Sequence, residues 1–115
     1  MKTTNWQAEF PAAITVTNRE GIIVEMNHAS TDLFQESGGK NLIGKNIMDC
    51  HPDHAQQRIF SIRDTLEPNI YTIQKDGKRK LILQSPHYEN GQFNGLVEIS
   101  FEIPDVIPHH NRDGD

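Results

Sequence analysis

Two dipeptides constrain this chain more than anything else in it. Asp76-Gly77 and Asn90-Gly91 each stand between two runs rich in apolar and β-branched residues. Type I′ turns need positive φ at both central residues, so Asp-Gly and Asn-Gly in such a setting mark two-residue hairpin loops. Residues 69–103 therefore read as three consecutive antiparallel strands, near 69–75, 79–87 and 93–103. In the last of these Val97, Ile99, Phe101 and Ile103 alternate with Glu98, Ser100 and Glu102. That period of two predicts the apolar set in the core and the polar set in water. The middle strand carries Leu81, Ile82 and Leu83 in succession, which predicts cover on both of its faces. Trp6 and Phe10, or a second subunit, are the candidates for the outer cover.

A shorter hairpin precedes this block. Residues 13–17 and 22–26 are strand-like, and Asn18-Arg19-Glu20-Gly21 supplies the turn. Asn27 then reads as the N-cap of a short helix over 28–34. Ser37-Gly38-Gly39-Lys40 ends that helix, and 42–49 is a loose helical or loop segment. Pro52 suits the first position of a longer helix, 52–66, where its missing N–H costs nothing. Ala55, Ile59, Ile62 and Leu66 form a one-sided stripe along it, and Pro68 stops it. Trp6 and Phe10 share one face of a short amphipathic segment closed by Pro11. The expected organisation is an N-terminal segment over 1–10, one α+β domain over 11–104, and a tail over 105–115 that loses order beyond Pro108. The domain is a five-stranded antiparallel sheet with helices on one face.

Composition narrows the function. With 115 residues the chain makes one domain, large enough for a core and one modest pocket. A net charge of −5 disfavours nucleic acid as a partner. The basic residues Lys75, Lys78, Arg79 and Lys80 straddle a hairpin tip and suit a solvated turn better than a phosphate track. A single cysteine, Cys50, excludes an intramolecular disulfide framework. No apolar run approaches the ~20 residues of a membrane span, and no signal-peptide pattern opens the chain, so a cytoplasmic location without membrane contact is expected.

The order of elements and three strings resemble the PAS family of sensory domains. ITVTNREGIIVEMNHAS, residues 14–30, is similar to that family's opening hairpin and the Asn that caps the next helix. IGKNIMDCHPDH, residues 43–54, resembles its Gly-containing approach to the long helix. IQKDGKRKLILQSPHYENGQFNGLVEISFEI, residues 73–103, resembles its closing three strands. The resemblance runs through residues 10–103. It implies a small molecule or cofactor between sheet and long helix, and dimerisation through the N-terminal segment and the outer sheet face. PAS domains are commonly joined to an output domain. This chain has no room for one, so the expectation is a signalling module without catalytic output: either a fragment of a longer protein whose effector domain is missing here, or a module that signals by binding a separate partner.

Several residues are weighed on that basis. Met48, Cys50, His51 and His54 line the approach to the long helix and are ligand candidates, with Arg58, Tyr71 and Ser85. Gln84 and His87 share the strand of Ser85, whose faces cannot be assigned from sequence. Haem-binding PAS domains ligate iron through a His on the long helix, which makes His51 or His54 the axial ligand if the cofactor is haem. Helix capping by His51 and Asp53 is the simpler reading. A flavin–cysteinyl adduct is disfavoured, because Ile47 stands where light-sensing relatives carry the reactive Cys. Nucleophilic catalysis by Cys50 lacks a legible orienting acid or oxyanion hole, so no enzyme is expected. His87, His109 and His110 are weighed as metal ligands, but paired tail histidines are ordinarily solvated, and no metal site is expected. Trp6 and Phe10 are the expected contacts of a homodimer. The competing functions are an interaction or dimerisation module with a ligand-free core, and a haem-binding redox or gas sensor.

Overall fold

The computed structural model describes residues 5–50 and 53–114, with side chains for all of these except 50 and 53–55. Five strands, β1 (Ala13–Thr17), β2 (Ile23–Met26), β3 (Asn69–Lys75), β4 (Lys78–Glu89) and β5 (Gln92–Ile103), form one antiparallel sheet in the order β2-β1-β5-β4-β3. Two α-helices, α1 (His28–Leu33) and α2 (Asp53–Thr65), lie between β2 and β3. Short 3-10 turns at Gln35–Ser37, Gly39–Leu42 and Ile47–Cys50 connect them.

Both hairpin loops have the backbone the dipeptides demand. Asp76 and Gly77 have φ of 55° and 75°, and Asn90 and Gly91 have 52° and 78°, as a type I′ turn requires. The turns set the registers Lys75↔Lys78 and Glu89↔Gln92; the first runs unbroken through β3 and β4, while a β-bulge between His87 and Tyr88 shifts the β4–β5 register by one residue, so that Gln84 faces Glu98.

Asn27 joins three parts of the fold. Its Oδ1 accepts from the Ser30 N–H, capping α1, and from the Ile14 N–H on β1. Its Nδ2 donates to the carbonyls of Gln7 and Ala12. The side chain is 6% exposed, so these bonds form in a medium where an unmade one is costly. Through Gln7, and through the His28 N–H to Ala8 O bond, the N-terminal segment is held at the start of α1. That segment is a run of turns rather than an amphipathic helix. Trp6 and Phe10 stack edge to face at 5.3 Å and remain exposed.

The close of α2 differs from expectation. The helix ends at Thr65, before Pro68 can act, because Leu66 turns into the left-handed region at φ 61° while its N–H still bonds Ile62 O. The tail beyond β5 has no regular structure among its described residues, and its side chains, Val106 and Ile107 included, are exposed.

The largest departure concerns the faces of the sheet. Directly paired residues share a face, and Thr15 bonds through its Oγ1 to Ser30 of α1 at 2.6 Å. The registers therefore put Thr15, Glu98, Gln84 and Asn69 in one row on the helix side. The next row on that side is Ala13, Ser100, Ile82 and Tyr71. The opposite, outer face carries the row Ile14, Ile99, Leu83 and Ile70, with Val16, Val97, Leu81 and Phe101 beside it. The expected core set of β5 is thus on the outside: Val97 and Ile99 are half-buried and Phe101 is 39% exposed. Ser100, expected in water, is 5% exposed under α1. Alternation is correct, but the side that the helices choose is the polar one.

The helix side consequently holds two small cores. Ile23, Leu42 and Ile47 pack with Met26 and Phe34. Ile59 and Ile62 of α2 pack with Leu96, Met48 and Phe93. The stripe predicted on α2 is real at Ile59 and Ile62, which are 3% and 2% exposed.

Candidate functional site

The polar row runs between these cores, and it is hydrogen-bonded in one direction. Arg58 Nη1 on α2 donates to Asn69 Oδ1 at 3.3 Å, Asn69 Nδ2 donates to Gln84 Oε1 at 3.0 Å, and Gln84 Nε2 donates to Glu98 Oε2 at 2.9 Å. The strands place these three side chains opposite one another in register, so each amide has its neighbour within reach without distortion. Gln84 is buried, Asn69 and Glu98 are half-buried, and Arg58 is exposed at the far end. Bonds aligned head to tail reinforce one another. The row runs from a guanidinium on the helix to a carboxylate on the central strand.

Tyr71 flanks this row. Although 41% of the residue is exposed, partial burial raises its phenol above the ordinary value of 10.0. The Glu98 carboxylate raises it further, and the Arg58 guanidinium works against both.

Two cavities lie near the row, and its Glu98 lines the smaller of them. One, of about 110 Å³, is lined by Thr15, Ile23, Met26, Phe34, Ser37, Leu42, Ile47 and Glu98. The other, of about 170 Å³, lies against α2 and the β1–β2 turn, where Ile47, Met48, Ile59, Phe93 and Leu96 form its apolar part. A narrow gap between Ile47, Ile59, Gln84, Leu96 and Glu98 separates them. Ile47 is a wall of all three spaces, and it is 7% exposed.

The residues expected at the site divide as follows. Met48 lines the larger cavity, and Arg58 and Tyr71 belong to the polar row and its flank. Ser85 does not belong: it pairs with Val97 on the outer face, one residue out of phase with Gln84, and its hydroxyl bonds Pro86 O. His87 is also on the outer face, where it pairs with Gly95 and its Nε2 donates to Thr17 O at 2.8 Å. His51 lies outside the described residues, as do the side chains of Cys50 and His54. Glu98, Asn69 and Thr15 escaped the sequence reading. Their row depends on the β4–β5 bulge and on the β1–β5 pairing, which neither hairpin turn fixes, and the apolar alternation of β5 points to the other face.

A porphyrin does not fit these cavities as they stand, since each has room for about one small ring. Among the described residues no group of three or more His, Cys, Asp or Glu side chains is placed to hold a metal ion. No described helix is long and apolar enough to cross a membrane.

The strand order, the single antiparallel sheet and the helices on one face are shared with solved structures of sensory domains. The PAS domain of a protein from Colwellia psychrerythraea superimposes with a TM-score of 0.65 and 24% identity, over 85% of this chain and 91% of that one. This chain has the PAS fold. The PAS domain of BvgS from Bordetella pertussis matches at a TM-score of 0.63 and 19% identity, over 86% of this chain and 82% of that one. The Aer2 receptor of Vibrio cholerae, a dual PAS-haem oxygen sensor, matches at 0.61 and 22%, over 81% and 95%. No protein-family model matches the chain, and no curated protein sequence does. At these identities the PAS likeness speaks for the architecture and leaves chemistry to the side chains.

Proposed function

We propose that this PAS-fold chain is a signalling module without catalytic output. On this reading it binds a small molecule between α2 and the helix-side face of the sheet and passes its occupancy to a partner. The observation that carries the reading is the polar row set between two apolar cores, whose Glu98 end opens onto the smaller cavity beside Ile47. A domain this small gains little stability from polar groups at the centre of its sheet, and local rules are broken mostly at functional sites. Structural neighbours that are sensor domains and receptors accord with it. Occupancy would act by favouring one placement of α2 against the sheet, which requires the ligand to bind the two placements with different affinity. Native mass spectrometry of the purified protein tests this. The expected result is a retained small molecule, or a small molecule bound on titration with amide shifts around Ile47 and Met48. Shifts confined to the tail or to the 76–80 turn would refute it. The absorption spectrum of the same sample decides the haem alternative directly.

The outer face supports a second reading alongside the first, a homodimer. Ile99, Leu83, Ile70 and Phe101 make a partly exposed apolar surface with no described helix over it, while Ile14 at its end is buried, and an apolar surface of this kind ordinarily meets another protein. Trp6 and Phe10, exposed as a stacked pair, are the expected aromatic anchors. Sedimentation should give a dimer at micromolar concentration that weakens in the double variant Trp6→Ala, Phe10→Ala. A monomer, or a dimer indifferent to that change, refutes it.

A further inference from the structure

We infer that the smaller cavity, which is lined from β1, β2, β5 and the turns after α1 rather than from α2, is built for a small cationic ring bearing N–H donors, anchored by Glu98; this rests on the reading of the domain as a ligand-binding module, with the site moved off α2. Of the cavity's lining side chains Glu98 alone carries charge. Ile23, Met26, Phe34, Leu42 and Ile47 are apolar, and the Thr15 hydroxyl is already bonded to Ser30. A carboxylate accepts about four hydrogen bonds. Glu98 receives one, from Gln84 to Oε2, and no Lys, Arg or His among the described residues pairs with it. A half-buried carboxylate beside apolar walls, short of donors, is poorly compensated. The group that would compensate it is a donor with positive charge, since charge-assisted bonds are the strong ones.

Size and surroundings specify the rest of the ligand. A cavity of about 110 Å³ is smaller than the ~150 Å³ apolar cavity that holds benzene, so a single five- or six-membered ring fills it. Phe34 and Met26 offer an aromatic face and a thioether to such a ring. An anion of the same shape would meet the carboxylate with nothing to offset the repulsion. The row behind Glu98 reinforces the choice: every bond from Arg58 to Gln84 is donated toward it, which leaves Glu98 as the accepting end.

The test uses three probes of similar size on the intact chain, followed by amide chemical shifts. They are imidazole at a pH where it is protonated, thiophene, and furoate. The expected result is saturable imidazole binding with shifts at Thr15, Ile47 and Glu98, thiophene weaker, and furoate absent. Glu98→Gln should weaken imidazole about tenfold, the loss expected when a bond to a charged acceptor becomes a neutral one, and leave thiophene unchanged. If Glu98→Gln does not fold, the ranking of the three probes on the unaltered chain decides the matter. Thiophene or furoate binding as tightly as imidazole would overturn the inference while leaving a ligand cavity standing. Binding by none of the three would overturn the cavity reading itself.

Discussion

Gln84→Leu is the sharpest probe of the polar row. Gln84 is 7% exposed and bonded at both ends, accepting from Asn69 at 3.0 Å and donating to Glu98 at 2.9 Å. Leucine has a similar volume, so the change removes the bonds without leaving a large cavity. Losing the donor to the Glu98 carboxylate costs about 1.5–3 kcal/mol, and stranding the half-buried Asn69 amide adds about 1 kcal/mol. Burying leucine in place of an amide returns about 1–1.5 kcal/mol. The net is a loss of about 1–3 kcal/mol. With a urea m-value on the order of 1–2 kcal/mol/M for a domain of this size, the midpoint should fall by about 1 M at constant m. The double variant Gln84→Leu, Glu98→Leu should be less destabilised than the sum of its singles, because removing both partners leaves no orphaned acceptor. A midpoint that holds or rises in the single variant, or strict additivity in the double, would show that the row is not coupled as its geometry implies.

Three further outcomes follow from particular residues. Tyr71 holds its proton above the ordinary tyrosine value when folded, so the unfolded chain loses its proton first and stability declines as pH rises through 10. In a Tyr88→Phe background the phenolate absorbance should titrate later in the folded than in the urea-unfolded protein. Adding Glu98→Gln should bring the folded value down, because the carboxylate is one of its causes. Gly95→Ala should cost upwards of about 3 kcal/mol or abolish folding, since its Cβ would stand 2.0 Å from Thr17 O at a φ of +132°; a thermal midpoint within a degree or two of the parent would contradict this. Leu66→Gly should stabilise by about 0.5–1 kcal/mol in urea, because Leu66 holds φ 61° while 42% exposed; a loss would mean that its side chain contributes more than its backbone costs.

Local signals carried most of the architecture. Asp76-Gly77, Asn90-Gly91 and the Asn27 cap act over two to four residues, and each specifies its backbone whatever surrounds it. The strands at 13–17 and 69–75 and the stripe at Ile59 and Ile62 follow from the same local logic. What sequence patterning did not decide was which face of the sheet the helices cover. Apolar alternation in β5 favours Val97, Ile99 and Phe101, yet α1 sits on the other side. There Ala13 and Thr15 of β1 meet Ser30, which is fully buried and bonded to Thr15. Small residues let a helix come close, and that preference is invisible in a count of hydrophobic positions. The same alternation hides Glu98 from a sequence reading, while the unassigned faces of β4 leave Ser85 and Gln84 equally open.

The inverted faces connect the two functional readings. If the helices covered Ile14, Ile99, Leu83 and Ile70, this domain would have one continuous apolar core and no polar row beneath α2. Instead the four-strand apolar row faces outward, and Glu98, Gln84 and Asn69 occupy the helix side, where hydrophobic burial would ordinarily be greatest. Each half of the arrangement is unfavourable alone: outward apolar rows invite association, and inward polar rows weaken the core. Together they suit a domain that completes its outer face with a partner and its inner face with a ligand. The two faces share the same strands, and neighbouring residues of β4 and β5 alternate between them, as Leu83 with Gln84 and Ile99 with Glu98. A shift of either strand at the ligand side would therefore alter the surface presented to the partner, with no longer path required.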